Sequence, residues 1–193
     1  MGYVLLGSMA FLFAFSFDLA ALKGIAHLKQ ALGLAFTLLF SFALLMVCLQ
    51  AERFPLPNWL SWVGWPLLVV STCLLVYSIF LEIPFKQTYA MDGVGDKLVK
   101  TGTYALVRHP GVLWFGLFLL ALIVISRSKL LLIAAPLWFS LDVLWVWIQD
   151  CFYFPRMFPG YEQYKRETPM LIPTRESIVK CVKTLRKDWV VPL

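Results

Sequence analysis

Five apolar stretches constrain what this chain can become. Tyr3 to Leu22 is interrupted only by Asp18, and Ala31 to Gln50 follows it. Leu60 to Leu81 is ended by Glu82 and Pro84. Gly111 to Ser126 is shorter, and Leu130 to Gln149 is full length with one acid, Asp142. A helix needs about 20 predominantly apolar residues to cross the hydrocarbon core of a bilayer. Inside that core every backbone polar group must be satisfied within the protein, which favours helices. The polar run Ser126-Arg127-Ser128-Lys129 suits a tight turn, so the last two stretches read as a helical hairpin. The expected fold is all-α: a polytopic helical bundle of about five spans. A re-entrant segment is the competing reading for the short fourth stretch. The first stretch lacks a basic leader and is long for a signal sequence, so it is read as a span.

Composition agrees. Of 193 residues, 61% are apolar and only 15% charged, against about 45–50% and about 25% in soluble domains. This excludes a soluble enzyme, a disordered tail and a nucleic-acid module. The four cysteines, Cys48, Cys73, Cys151 and Cys181, have no CxxC or metal-ligand spacing and read as packing residues.

Charge placement gives an orientation. Fourteen of the 17 Lys and Arg fall on one side of the five-span arrangement, including Lys23, Lys29, Lys86, Lys97, Lys100, Arg108 and everything basic after the last span. Only Arg53, Arg127 and Lys129 fall on the other. Basic loops stay cytoplasmic, so the amino terminus is expected outside and the carboxyl terminus in the cytoplasm. The chain then reads as one integral membrane domain over 1–193. Residues 1–85 hold three amino-terminal spans, 86–173 hold a polar loop, the hairpin and a cytoplasmic segment, and 174–193 form a basic tail. In that tail Ile178, Val182, Leu185 and Trp189 recur at helical spacing, with Lys180, Lys183, Arg186 and Lys187 largely elsewhere on the wheel. Such a helix lies in the headgroup plane of an anionic leaflet; a solvated basic tail is the alternative.

The chemistry-bearing residues gather in the two polar stretches. Gly102 permits a turn that residues with a side chain resist, and Tyr104 brings a ring and a hydroxyl to the interface. Arg108 and His109 precede Pro110, which can open the fourth span as its first helical residue. A cation and an imidazole at a helix amino terminus suit a carboxylate or phosphate. They also suit a membrane anchor and a cap with no ligand at all. Asp150 leaves the last span on the same membrane face, followed by Tyr161 and Tyr164. An anion, a cation and aromatic rings at one level could hold a zwitterion that carries a ring.

Other acids have two readings each. Asp18 is near enough to its span end to reach water, whereas Asp142 is deeper and should pair with another helix or line a cavity. Glu82 is either a solvated helix end or a substrate contact. Trp59, Trp62 and Trp65 fit an interfacial aromatic belt.

The ordered set Leu98-Val99, Gly102-x-Tyr104, Arg108-His109-Pro110, Asp150, Tyr161-x-x-Tyr164 and Pro169-Met170-Leu171-Ile172-Pro173 resembles the isoprenylcysteine carboxyl methyltransferase and phospholipid methyltransferase superfamily over roughly residues 95–173. The resemblance implies S-adenosylmethionine as cofactor and a lipophilic small-molecule or lipid-linked acceptor reaching it from the membrane lipids. By the same resemblance Leu98 and Val99 line the adenine side and Tyr104 covers the cofactor. Gly102 and Pro110 belong to the same binding segment. Arg108 and His109 lie at the methionine end or between cofactor and acceptor, as the catalytic pair. Asp150 takes the acidic position that holds the cofactor, and Tyr161 and Tyr164 form the aromatic pair. No metal is implied.

Several positions depart from the family pattern. Gln149-Asp150 stands where members carry a Glu pair, Val112 and Trp114 stand where a tyrosine and a glycine are favoured, and Asp96 replaces a histidine. Met157-Phe158 replaces a Phe-Gly. A carboxylate or thiolate acceptor would need only orientation, which Arg108 could supply; an amine would need a base, for which His109 is the candidate. The rival readings are a catalytically degenerate membrane scaffold of the same fold and an NADPH-dependent sterol-type membrane reductase.

Overall fold

The computed structural model describes residues 1–83 and 98–188. Lys86, Asp96, Lys97 and Trp189 lie outside the described residues. Helices α1 (Gly2–Leu22), α2 (Ala26–Cys48), α3 (Asn58–Val76), α5 (Pro110–Ser126) and α6 (Lys129–Ile148) build the bundle. Short helices α4 (Thr103–Leu106), α7 (Phe154–Met157) and α8 (Tyr161–Glu167), with the longer α9 (Arg175–Asp188), gather at one end. Among the described residues there is no strand, only an isolated bridge between Arg53 and Ser128.

Four helices are long and apolar enough to cross a membrane, and Pro110–Ser126 is a shorter fifth. The short stretch is one continuous helix, not a re-entrant turn. At 1.5 Å per residue its 17 residues rise about 26 Å, a little under the hydrocarbon thickness. Leucines and valines such as Leu38, Leu45 and Val69 face outward over the bundle, a surface suited to lipid. The chain is a multi-pass membrane protein.

Two helix ends differ from the sequence reading. The second span begins at Ala26, so Lys29 is in its first turns and buried over the Phe17 ring, not in a loop. The last rod does not stop at Gln149. A π-helical turn, Gln149–Tyr153, carries it on into α7.

Packing follows residue size. α1 lies along α2, α3 along α5, and α6 against α1. Gly7 on α1 gives the buried Trp138 of α6 its space: a Cβ there would sit 2.4 Å from the indole. The indole then donates to the Val4 carbonyl at 3.3 Å. Phe40 stands at the centre, 5.0 Å from the Trp138 ring, 5.6 Å from Phe11 and 5.8 Å from Phe115.

The end carrying Arg53 is tied by polar contacts. Ser128 donates to the Val47 carbonyl at 2.7 Å and also caps α6. Arg53 donates to the Ser126 carbonyl at 3.0 Å, and Arg127 turns the hairpin at φ 55° and reaches Ser61 at 2.8 Å. The expected helical hairpin is therefore present, closed by Arg127 in the left-handed region. At this end Trp59, Trp62 and Trp65 are exposed, as an interfacial belt would be.

Candidate functional site

The opposite end starts at Gly102. Its backbone adopts φ 59° and ψ −132°, open to glycine and strained for other residues. A Cβ there would fall 1.7 Å from Glu82 Oε1. The bare glycine lets the Glu82 carboxylate accept from the Thr103 amide at 2.8 Å and from the Thr103 hydroxyl. Glu82 is thus bonded to the start of α4, neither a bare helix end nor a group facing the cavity described below. The Gly102 amide donates to Thr184 Oγ1 on α9 at 3.0 Å.

Tyr104 reaches back to the Ser78 carbonyl at 3.2 Å, and its own carbonyl accepts from the Tyr164 hydroxyl at 2.6 Å. The chain then runs extended through Val107. The Arg108 amide donates to the Pro169 carbonyl at 2.9 Å and the His109 amide to that of Met170 at 3.3 Å. The Pro-x-Leu-Ile-Pro segment is therefore the backbone partner of Arg-His-Pro. Pro110 opens α5, where its missing N–H costs nothing.

Asp150 lies in the π-helical turn and is buried. Arg108 grips it with two parallel bonds, Nε to Oδ1 at 2.7 Å and Nη2 to Oδ2 at 2.9 Å. The Tyr161 hydroxyl donates to Oδ1 at 2.6 Å, and His109 Nε2 lies 3.4 Å from the same oxygen. Lys165 Nζ stands 3.7 Å from Oδ2. The remaining Arg108 nitrogen, Nη1, donates to the carbonyls of Lys165 and Thr168. All three guanidinium nitrogens thus donate within the protein.

The rings stack around this pair. Phe154 lies parallel to His109 at 5.7 Å and edge-on to Tyr161 at 5.5 Å, and Tyr161 meets Tyr164 edge-on at 5.9 Å. Burial drives the His109 imidazole below its ordinary value, with Asp150 opposing and Arg108 assisting, so the ring is neutral near pH 7. Burial, then the Asp150 carboxylate, push the Tyr161 phenol far up. Burial does the same to Tyr164. Burial pulls the Arg108 guanidinium down, but its bonds to Asp150 more than reverse this. With Nε2–H directed at Asp150, His109 keeps its lone pair on Nδ1.

Beside these groups lies a cavity of about 420 Å³, within the range of pockets that enclose cofactors and drug-sized molecules. Leu98, Val99, Tyr104, Arg108, His109, Pro110, Tyr161 and Tyr164 all line it. Asp150 and Gly102 do not; they hold the residues that do. The cavity then continues into the bundle between Phe11, Phe36, Phe40 and Phe115.

Asp142 lines the cavity, one of its two expected places, and three further polar residues of the wall are not among the site residues expected from the sequence: Asp18, Lys29 and Gln149. Asp18 does not reach water. It is 3% exposed and accepts from Trp145 Nε1 at 2.5 Å and from Gln149 Nε2 at 3.0 and 3.1 Å. A carboxyl of α1 thus meets the amide that stands at the departed Glu position. Trp145 and Gln149 share a face of α6 one turn apart, which sequence spacing shows; which α1 residue opposes them it does not. Trp114 has a buried indole N–H with no partner among the described residues, and it is not one of the cavity's lining residues.

A family model described as "Protein of unknown function (DUF1295)" matches residues 20–168. The chain belongs to that family. The DUF1295 match takes in Gly102 to Pro110, Asp150 and both tyrosines, and ends where Thr168 accepts from Arg108. It begins just after Asp18 and leaves out α9. No curated protein and no solved structure matches the chain.

Proposed function

We propose that this DUF1295 protein transfers a methyl group from S-adenosylmethionine to a lipophilic or lipid-linked acceptor at the cytoplasmic membrane interface, with its amino terminus outside. The observation that carries the reading is one cavity with two characters: tyrosines and His109 at the polar end, phenylalanines within the bundle. Such a space can take a polar cofactor at one end and meet the reacting end of a greasy partner at the other.

Bound S-adenosylmethionine would supply an electrophilic methyl group on a sulfonium. The cavity fits it in volume, and the faces of Tyr104, Tyr161 and Tyr164 suit a cation. Leu98 and Val99 offer an apolar wall for a base. Asp150 would act through the residues it holds: it fixes His109 and Tyr161 in place. Arg108 would hold the Asp150 side and the 165–168 carbonyls together, a positioning residue on the cavity wall. His109, neutral at pH 7, can accept the proton of an amine acceptor at Nδ1. A thiolate or carboxylate acceptor would need no base. Enclosure and alignment would supply much of the rate.

One observation favours the scaffold reading: Arg108 has every nitrogen engaged within the protein. Membranes containing the protein, incubated with methyl-labelled S-adenosylmethionine, separate the two. Methyl transfer predicts protein-dependent label in the lipid-extractable fraction. A scaffold predicts none in lipid, protein or volatile fractions.

A further inference from the structure

The cavity holds a carboxyl with no partner among the described residues. Asp142 is six residues before the end of α6, which places it about 9 Å along the axis from that end. It lines the cavity on the face shared with Trp145, Val146 and Gln149. Asp18, the other acid on the wall, is satisfied by Trp145 and Gln149. Among the described residues no hydrogen bond or ion pair reaches Asp142. A carboxyl within a membrane bundle is costly unless something answers it.

Charge decides what could answer it. Among the described residues of the cavity wall the one ammonium, Lys29, stands with Asp18, while Arg108 is matched by Asp150. Among these residues Asp142 is the acid left over, and the cavity it lines is otherwise rich in phenylalanine, with Trp145 and Val146 beside it on α6. A ligand that fits brings hydrocarbon for those rings and a cationic donor for the carboxylate. A charge-assisted bond is roughly twice as strong as one to a neutral hydroxyl.

We infer that Asp142 is the recognition residue for an amine-bearing amphiphile, whose protonated nitrogen it binds while the alkyl part lies among Phe36, Phe40 and Phe115. The inference deepens the methyl-transfer reading, and rests on it only in making the bound amine the acceptor. The ammonium would first give one proton to the Asp142 carboxylate, and the freed lone pair would take the methyl group as the C–S bond breaks and the neutral thioether leaves.

The test uses the full chain in discs of zwitterionic lipid, with protein-free discs subtracted. Labelled octylamine, 1-octanol and octanoate are titrated against wild type, Asp142→Asn and Asp142→Glu. Octylamine is expected to bind wild type at least tenfold more tightly than octanol or octanoate. Asp142→Asn should weaken octylamine at least tenfold and move octanol less than threefold, and Asp142→Glu should keep the amine preference. The inference is overturned if octanol binds wild type as well as octylamine, or if the preference survives Asp142→Asn. Equal loss of both ligands in Asp142→Asn also overturns it, because it marks Asp142 as a packing residue. Binding of S-adenosylhomocysteine to the same wild-type discs decides the methyl-transfer reading separately. Its absence would remove that reading and leave the amine site to the octylamine comparison.

Discussion

Truncating Arg108 to alanine should cost about 3 kcal/mol of stability, near the lower end for breaking a buried ion pair by removing one partner. The pair is well placed for a large effect. Its side chains are 9% and 4% exposed, and its two parallel bonds measure 2.7 and 2.9 Å. Three groups keep the cost from rising further, since Tyr161, His109 and Lys165 remain around Asp150. Arg108→Ala also leaves the Lys165 and Thr168 carbonyls without this donor, a loss that water entering the emptied space can partly offset. Asp150→Ala strands the guanidinium and should cost about as much. The double substitution then removes a charge pair, not half of one, so it should fall short of the sum by about 2 kcal/mol. Equilibrium unfolding of the four proteins in mixed micelles, extrapolated to zero denaturant, gives each free energy. Arg108→Ala within 0.5 kcal/mol of wild type, or strict additivity in the cycle, would refute the closed-pair account.

Four further outcomes follow. Gly102→Ala should destabilise by more than about 1 kcal/mol, because φ 59° disfavours a side chain and Glu82 Oε1 occupies the Cβ position; a thermal midpoint equal to wild type would count against that geometry. His109 is held neutral below its ordinary value of 6.5, so its folded state binds fewer protons than the unfolded chain. Its contribution is fully present above pH 6.5 and lost as pH falls from there through the lower folded value; His109→Asn should flatten that part of the stability profile, and an unchanged slope would exclude His109 as its source. Tyr161→Phe removes the 2.6 Å bond to Asp150 and should cost about 1.5–3 kcal/mol, read by the same unfolding titration. With the four native cysteines replaced by serine, a single cysteine at Gly2 should label from the outer side of sealed membranes and one at Arg175 from the cytoplasmic side; the reverse would overturn the orientation, and labelling of both from one side would overturn the odd span count.

The bundle was legible because length and hydropathy set membrane helices almost alone. What spacing could not show was how those helices continue or rotate. The π-helical turn at Gln149–Tyr153 leaves no mark in the apolar pattern. Yet by this turn Gln149 faces the cavity and Asp150 sits behind Arg108. Arg108, His109, Tyr161 and Tyr164 were named from order and spacing, and the fold brings them together. Their bonding was not readable, because the answering groups come from distant parts of the chain: Glu82 for Thr103, the 165–170 backbone for Arg108 and His109. The tail illustrates the same limit. Its apolar residues Ile178 and Val182 are exposed, as a face turned to lipid would be, while Ser177 and Cys181 are buried on the helix that packs against α4. Helical periodicity found the helix without saying which side meets protein.

Calorimetric titration of S-adenosylhomocysteine into the purified protein tests the proposed function most directly. The account predicts saturable one-to-one binding that Tyr104→Ala weakens at least tenfold in a protein that still unfolds cooperatively. No binding at millimolar ligand, by protein that unfolds with a single sharp transition, would contradict it.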